Sequence, residues 1–118
     1  IKPIYEINAF NMKLVRLLIK NIKIMKNYVK EVHKGRTMLK NFLNSQNIEM
    51  IGKYSNTVLF KLENKQKVDH VIKYLFKNKF IVRPMTIDND DRYIRATLGS
   101  SKIMKKFIGK LKIALKFN

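Results

Sequence analysis

The sequence predicts an α+β fold: a small, mainly antiparallel sheet of about three strands, covered on one side by helices, in the order α-α-β-α-β-β-α. Three observations predict it. Four segments repeat apolar residues at helical spacing, three shorter segments alternate apolar and polar residues, and polar turn residues separate them. Because 118 residues suffice for one domain with a core and are too few for two, we expect a single domain over residues 1–118.

The first half of the chain is predicted to be largely helical. Residues 1–8 are expected to be extended, because Pro3 disfavours a helix before it, and Asn8 is a suitable N-cap for a helix over about residues 9–22. This helix and a second one over about residues 25–43 each carry an apolar stripe that we expect to cover the sheet. The stripe residues are Phe10, Leu14, Leu17 and Leu18 in the first helix and Val29, Val32, Met38, Leu39, Phe42 and Leu43 in the second.

The second half alternates strands and helices. A strand is predicted over residues 57–62, after a short apolar piece and a glycine turn, and a helix over about residues 67–77. Two strands then flank the polar turn at residues 88–91, and a last helix, capped by Ser100 or Ser101, extends to about residue 115. The expected inward-facing residues of these two helices are Val68, Val71, Ile72, Leu75 and Phe76, followed by Ile103, Phe107, Ile108, Leu111 and Leu115.

Arg95 lies in the middle of the predicted strand over residues 93–98. Period-two alternation sends the three aliphatic residues of this strand to the core and Arg95 to the other face. An arginine rooted on a strand can hold a carboxylate or phosphate through two parallel hydrogen bonds, which a lysine cannot reproduce. The pattern favours an anion-binding arginine; the alternative is a structural ion pair with an acid such as Glu63.

The chain is strongly basic, with 26 Lys and Arg against 8 Asp and Glu and a formal net charge of +18. Such a charge ordinarily favours nucleic acid, since clustered cations release counterions from phosphate backbones. The lysines are, however, scattered from Lys2 to Lys116 without interleaved aromatics, as expected where AT-rich coding makes lysine a generic solvating residue. We therefore do not expect nucleic acid as the partner.

Residue types also exclude several kinds of site. The absence of cysteine rules out disulfides and thiolate chemistry and fits a cytoplasmic protein. No stretch reaches the roughly 18 apolar residues of a membrane span, so no membrane is expected. His33 and His70 lack a second ligand at helical spacing, and the acidic turn has Arg92 and Tyr93 where a calcium loop needs an acid and a glycine, so we expect no metal.

Four segments, spread over nearly the whole chain, carry a family resemblance. They are residues 2–8 (Lys-Pro-Ile-Tyr-Glu-Ile-Asn), residues 28–43 with Arg36 and its leucines, residues 55–60 (Ser-Asn-Thr-Val-Leu-Phe), and the pair 81–84 (Ile-Val-Arg-Pro) and 93–100 (Tyr-Ile-Arg-Ala-Thr-Leu-Gly-Ser). Together they resemble the C-terminal small domain of the fold type I (class I/II) pyridoxal-phosphate-dependent aminotransferases, most closely the histidinol-phosphate aminotransferase branch. The chain departs from the family at the start of the last helix, where Lys102, Ile103 and Met104 replace acidic residues and an asparagine.

The resemblance implies roles for two arginines. Arg95 matches the family arginine that binds the α-carboxylate of the amino-acid substrate, and Arg83 matches a second arginine near the substrate. The Schiff-base lysine, the aspartate at the pyridine nitrogen and the phosphate cup belong to the family's large domain, so pyridoxal 5'-phosphate is expected to be bound there. Ser100-Ser101-Lys102 looks superficially like the Schiff-base motif but lacks its following glycine.

We therefore expect the chain, which begins at Ile1 without an initiator methionine, to be the C-terminal part of a longer enzyme and inactive alone, with residues 1–8 crossing from the large domain. The parent would be a cytoplasmic homodimer of amino-acid biosynthesis that moves an amino group between an amino acid, histidinol phosphate included, and a 2-oxo acid. The alternatives are a pyridoxal-phosphate decarboxylase of the same fold, a basic nucleic-acid-binding module with stacking aromatics on its sheet, and a structural oligomerisation domain.

Overall fold

The computed structural model describes residues 8–116, and the chain divides after Lys30 into two compact units. The fold is α+β, as predicted, with four helices and an antiparallel sheet in the described part. The elements are α1 (Ala9–Lys20), α2 (Ile22–Ser45), β1 (Met50–Ile51), β2 (Thr57–Lys61), α3 (Lys65–Lys77), β3 (Arg83–Ile87), β4 (Asp90–Thr97) and α4 (Ser101–Ala114). None of these helices is long and apolar enough to cross a lipid bilayer.

The first unit contains α1 and the start of α2. Asn8 caps α1 as predicted, since its side-chain oxygen accepts a hydrogen bond of 2.8 Å from the Asn11 backbone N–H. Within its unit α1 buries no residue, and Phe10 and Leu17 of its apolar stripe are 72% and 57% exposed. The expectation that this stripe covers the sheet stays a prediction. Helical periodicity shows which residues share a face but not whether that face has a partner. The predicted extended segment over residues 1–7 lies outside the described residues.

The part of α2 in the second unit joins the core through Leu39 and Leu43 and comes very close to α4 at Gly35. A Cβ atom on Gly35 would lie 2.6 Å from the carbonyl oxygen of Gly99 and 2.8 Å from Cγ of Met104. In the sequence this glycine looks like a weak point inside a helix. The packing shows that a side chain there would collide with backbone, so the glycine permits the contact between the two helices.

The sheet of the second unit has four strands in the order β1-β2-β4-β3, one more than predicted. The additional strand, β1, is the short apolar piece, and it pairs with β2 through Met50 opposite Phe60 and Ile51 opposite Leu59. Two residues are too few to show an alternating pattern, so this strand is recognisable only by its pairing.

The core lies between one face of this sheet and α2, α3 and α4, so helices cover one side as predicted. Two predicted inward-facing residues are wrong, because Phe76 and Ile103 are 66% and 52% exposed. In α4 the buried stripe contains Met104 and not its neighbour Ile103. Either residue fits the helical spacing, and the contact with Gly35 selects Met104. The buried residues from the sheet are Val58, Phe60, Ile94 and Ala96, and those from α3 and α4 are Val68, Val71, Leu75, Met104, Phe107, Leu111 and Ala114.

The start of α4 is only partly as predicted. Ser100 occupies the N-cap position but makes no capping hydrogen bond with its side chain. The Ser101 hydroxyl instead donates a 2.5 Å hydrogen bond to the carboxylate of Glu31 on α2, which also pairs with Lys34 at 2.8 Å. These two partners, Lys34 first, lower the pKa of Glu31 below its usual value.

Strands β3 and β4 form the predicted hairpin, and its tip is a tight two-residue turn. Asp88 and Asn89 both have positive φ angles, 50° and 63°, and Ile87 pairs with Asp90 across the turn. Two central residues with positive φ match the hairpin turn whose twist suits antiparallel strands, and Asp and Asn tolerate that conformation. The interpretation of residues 88–91 as a hairpin turn is confirmed.

Candidate functional site

The face of the sheet that points away from the helices carries both predicted site arginines. Residues directly opposite each other in antiparallel strands project to the same face. Arg95 on β4 lies opposite Leu59 on β2, and Arg83 on β3 lies opposite Arg95. Adding Ile51, which pairs with Leu59, gives a row across the sheet: Ile51, Leu59, Arg95 and Arg83. We call this side of the sheet the open face.

Arg95 and Arg83 are both exposed, and neither makes a hydrogen bond or ion pair with any of residues 8–116. The alternative that Arg95 pairs with Glu63 is therefore wrong, since the Glu63 carboxylate contacts Lys67 at 3.2 Å. Directly opposite residues have Cβ atoms about 4.5–5.5 Å apart, and like charges placed so destabilise a sheet. Two adjacent guanidinium groups without an acid form a site that an anion would stabilise.

The side chains around this pair are apolar or weakly polar. Leu59 is partly exposed beside Arg95, Tyr93 and Met85 form the next pair along the hairpin, and Thr57 lies opposite Thr97 in the previous one. An anion held by Arg95 would thus touch aliphatic and aromatic surface on its flanks.

Two other cations near the open face, Arg92 and Lys61, are held by one carboxylate, that of Asp90. Asp90 binds the Arg92 guanidinium through Nε and Nη2, both at 2.8 Å, and the Lys61 ammonium at 2.6 Å. Arg92 and then Lys61 hold the pKa of Asp90 well below its usual range, and the carboxylate raises the pKa of both cations. Lys61 also lies over the Tyr93 ring, 5.3 Å from its centroid. Asp90 therefore leaves Arg83 and Arg95 as the cations of the hairpin available to a ligand.

Arg36, the arginine of the long helix, has a structural role. Its guanidinium donates hydrogen bonds to the backbone carbonyls of Gly52 and Ser55, which lie between β1 and β2. Its Nε–H is buried without a partner in the described part of the chain. Arg36 thus holds the loop that leads into β2 and does not reach the open face.

A cleft of about 530 Å³ lies elsewhere, at the end of β2 where Lys61, Glu63 and Lys67 meet Ile48 and Glu49. It contains neither Arg83 nor Arg95. Its lysines are already paired with acids, Lys67 with Glu63 and Lys61 with Asp90. We assign no function to this cleft.

The open face offers little to the nucleic-acid alternative. Among the strand residues of the sheet, Tyr93 is the single aromatic side chain on this face, and the other strand aromatic, Phe60, is fully buried in the core. Sheets that bind single-stranded RNA by stacking use two or three aromatic residues.

Sequence reasoning found Arg95 and Arg83 but missed their neighbours. It did not identify Asp90, Lys61 or Leu59, which set the charge and the apolar flank of the site. Alternation along β2 and β4 could have assigned Leu59 to the face of Arg95, once the two strands are known to pair. Nothing in the sequence alone indicates that pairing.

Comparison with known proteins identifies the fold. No protein-family model and no curated protein matches the chain. A decarboxylase from Sulfurospirillum multivorans matches with a TM-score of 0.72 and 23% identity, over 96% of this chain and 30% of that chain. An aminotransferase from Bacillus anthracis matches with a TM-score of 0.72 and 17% identity, over 92% of this chain and 27% of that chain. A protein from Erwinia carotovora atroseptica, provisionally named a histidinol-phosphate aminotransferase, matches with a TM-score of 0.62 and 14% identity, over 71% of this chain and 23% of that chain.

These matches establish a fold and a size relation. The chain has the fold of one part of aminotransferase and decarboxylase chains, and it spans less than a third of the length of each of these three. The expected fold, that of an aminotransferase small domain, is therefore confirmed. The histidinol-phosphate branch and the roles of the arginines remain predictions.

Proposed function

We propose that the chain is the small, substrate-binding domain of a longer pyridoxal-phosphate-dependent enzyme, in which Arg95 binds the α-carboxylate of an amino-acid substrate. The observation that carries this proposal is the unpaired Arg95 on an inner strand, beside Arg83 and on the face without helices. Its root on β4 limits its motion, so it can hold a carboxylate in a fixed direction with two parallel hydrogen bonds.

The chain's own contribution to the reaction is binding and orientation. Arg95 would fix the carboxylate, and Arg83, one strand away, would contact a second anionic or polar group of the same substrate, such as the phosphate of histidinol phosphate. Orienting a substrate against a reacting group supplies a large part of an enzyme's rate enhancement. Amino-group transfer to a 2-oxo acid is the proposed overall reaction, and the cofactor would supply the electron sink.

The residues of this chain do not fit a complete cofactor site. Pyridoxal phosphate needs a lysine for its aldehyde, an acid for its ring nitrogen and a phosphate site. No polar or charged residue is buried in the described part of the chain, so we assign no residue to the cofactor and no step to it. The proposal places that site in a second domain and predicts that the chain alone is inactive. A homodimeric parent, a cytoplasmic location and a role in amino-acid biosynthesis belong to the same proposal.

A decarboxylase is the second candidate, and the match to the Sulfurospirillum multivorans decarboxylase favours it. In that reaction the α-carboxylate leaves as carbon dioxide. A guanidinium bound to the carboxylate stabilises the charge that must be lost, so Arg95 would then act in binding more than in the chemical step. Measuring carbon dioxide and 2-oxo acid release from the parent enzyme separates the two reactions.

The test of the proposed role is Arg95→Lys in the enzyme that carries this chain. We expect the KM for the amino acid to rise about tenfold or more and kcat to fall, because a hydrogen bond to a charged group contributes about 1.5–3 kcal/mol and tenfold corresponds to about 1.4 kcal/mol. The matched control is Arg16→Lys on α1, an exposed arginine that makes no hydrogen bond or ion pair within residues 8–116. Unchanged kinetics in Arg95→Lys would remove the proposed role of Arg95.

A further inference from the structure

The register of the β3–β4 hairpin is not the one that its turn alone would produce. With Ile87 opposite Asp90, regular pairing would place Arg83 opposite Ile94, whose side chain is fully buried in the core. Instead Met85 pairs with Tyr93 and Arg83 with Arg95. Between the Ile87–Asp90 pair and the Met85–Tyr93 pair, β4 advances by three residues and β3 by only two. β4 therefore carries a bulge. Because side chains alternate with a period of two, this one extra residue moves Arg83 from the core face to the open face.

Asp90 makes its contacts inside this bulge. Its Oδ1 accepts a hydrogen bond of 3.1 Å from the backbone N–H of Arg92 and one of 2.8 Å from Arg92 Nε. The Arg92 carbonyl accepts from the Leu62 N–H at 2.9 Å. A side-chain carboxylate bonded to the N–H two residues on stabilises a local turn and satisfies a donor that the interrupted ladder leaves unpaired. The second carboxylate oxygen binds Lys61 on β2, so the bulge is attached to the neighbouring strand.

We propose that Asp90 sets the register that brings Arg83 beside Arg95, and that it is a positioning residue of the open-face anion site. Its part in substrate binding rests on the proposed function. Asp90 would act by holding the bulge through Arg92 and by attaching it to β2 through Lys61. It does not itself touch the ligand.

The experiment uses the 118-residue chain and reads the register directly. Cross-strand nuclear Overhauser contacts between residues 83 and 95 report the native pairing, and titration with inorganic phosphate reports the anion site. In Asp90→Ala we expect the 83–95 contacts to be lost and phosphate affinity to fall about tenfold, since one guanidinium leaves the site. In Asp90→Asn the amide oxygen can still accept from the Arg92 N–H, so the register and the phosphate affinity should persist while thermal stability falls.

Two controls separate positioning from a general loss of structure. Asp91→Ala removes the adjacent carboxylate, which makes no hydrogen bond or ion pair within residues 8–116, and should change neither the register nor the affinity. In a double-mutant cycle, Asp90→Ala should cost little further phosphate affinity once Arg83→Gln is present, because both changes remove the same arginine from the site. Additive losses of affinity would overturn the proposal.

The outcome distinguishes this inference from the proposed function. If Asp90→Ala retains the 83–95 contacts, Asp90 does not set the register, whatever the chain binds. If the contacts are lost as expected but the wild-type chain and its parent enzyme bind no carboxylate or phosphate on this face, the register assignment holds and the proposed substrate role of the open face is wrong.

Discussion

At the scale of single residues, the pairing of Arg83 with Arg95 is the feature that most constrains function. Two guanidinium groups face the same side of the sheet with no acid between them. A protein selected only for stability would gain by replacing one of them, since like charges in directly opposite strand positions repel. The third cation of the hairpin, Arg92, is bound by Asp90, so Arg83 and Arg95 are the pair on which the proposed anion site depends.

This repulsion leads to a stability prediction for the 118-residue chain. Arg83→Gln should raise the free energy of unfolding by about 0.2–1 kcal/mol in the absence of anions, because it removes the like-charge pair. Phosphate should stabilise the wild type more than the variant, since a ligand that binds only the folded state adds to its stability. Thermal unfolding with and without phosphate measures both effects.

The control for that prediction is Arg92→Gln, which removes the same charge from the same hairpin. It should lower stability, because it breaks the two hydrogen bonds of 2.8 Å to Asp90. A loss of stability in Arg83→Gln as large as that in Arg92→Gln would show that Arg83 has a structural partner.

The two arginines also show how far residue-level prediction reaches. Alternation within β4 is enough to place Arg95 on the open face, because its apolar neighbours must face the core. Alternation does not place Arg83, because which side chains of β3 point to the open face depends on the bulge in β4. The hydrogen bonds of that bulge involve Asp90, Arg92 and Lys61. The resemblance to the aminotransferase small domain pointed to Arg83, while its position beside Arg95 required the paired strands.

At the scale of elements, the contact between α2 and α4 decides which helix faces are buried. Gly35 lets the α2 backbone approach Gly99 and Met104, and this contact turns Met104 inward and leaves Ile103 exposed. Helical spacing alone allows either choice, so the first inward-facing residue of α4 was predicted one position too early, while Phe107 and Leu111 are buried as predicted.

Two glycines in helices provide a matched pair for testing this contact. Gly35→Ala should destabilise the chain by about 1–3 kcal/mol, because its Cβ would collide with the carbonyl of Gly99, which cannot move without displacing the backbone. Gly109→Ala in α4 has no atom within 4 Å of the added Cβ and should stabilise by about 0.5–1 kcal/mol through helix propensity. Urea unfolding of both variants tests the pair, and a neutral or stabilising Gly35→Ala would contradict the close approach.

At the scale of the whole molecule, the core of the described residues belongs to the second unit. The second unit contains the complete cluster of buried residues, whereas α1 contributes none. The solved structures that match over more than nine-tenths of this chain are more than three times as long. The proposed second domain would correspond to the remaining length of those chains, and the substrate-binding role of this chain is part of the same proposal.

The stability of the whole molecule should depend on pH through its paired carboxylates. The pKa values of Asp90 and Glu31 are lowered in the folded state, so below a pH of about 4 the unfolded state binds more protons and the folded state loses its advantage. This stabilisation is complete above the pKa that the two carboxylates have in the unfolded state. It declines as the pH falls towards their lower pKa in the folded state. We expect Asp90→Asn to be less stable than wild type at pH 7, with the difference shrinking below about pH 4.

Chemical unfolding of wild type and Asp90→Asn between pH 7 and pH 3 measures that difference. Asp91→Asn is the control, since Asp91 has no ion pair or hydrogen bond within residues 8–116, and its effect on the free energy of unfolding should be small. A difference between wild type and Asp90→Asn that grows as the pH falls would have the wrong sign for an ion-paired carboxylate.

The sequence by itself determined the α+β class, the existence of seven of the eight elements and the outward direction of Arg95. These features depend on local periodicity and on turn residues, which act over a few positions of the chain. Tertiary structure decided the fourth strand, the choice of Met104 over Ile103 in α4 and the meeting of Arg83 with Arg95. Each of these depends on which segments pair or pack at a distance, and a single added residue in β4 is enough to move a side chain from the core to the open face.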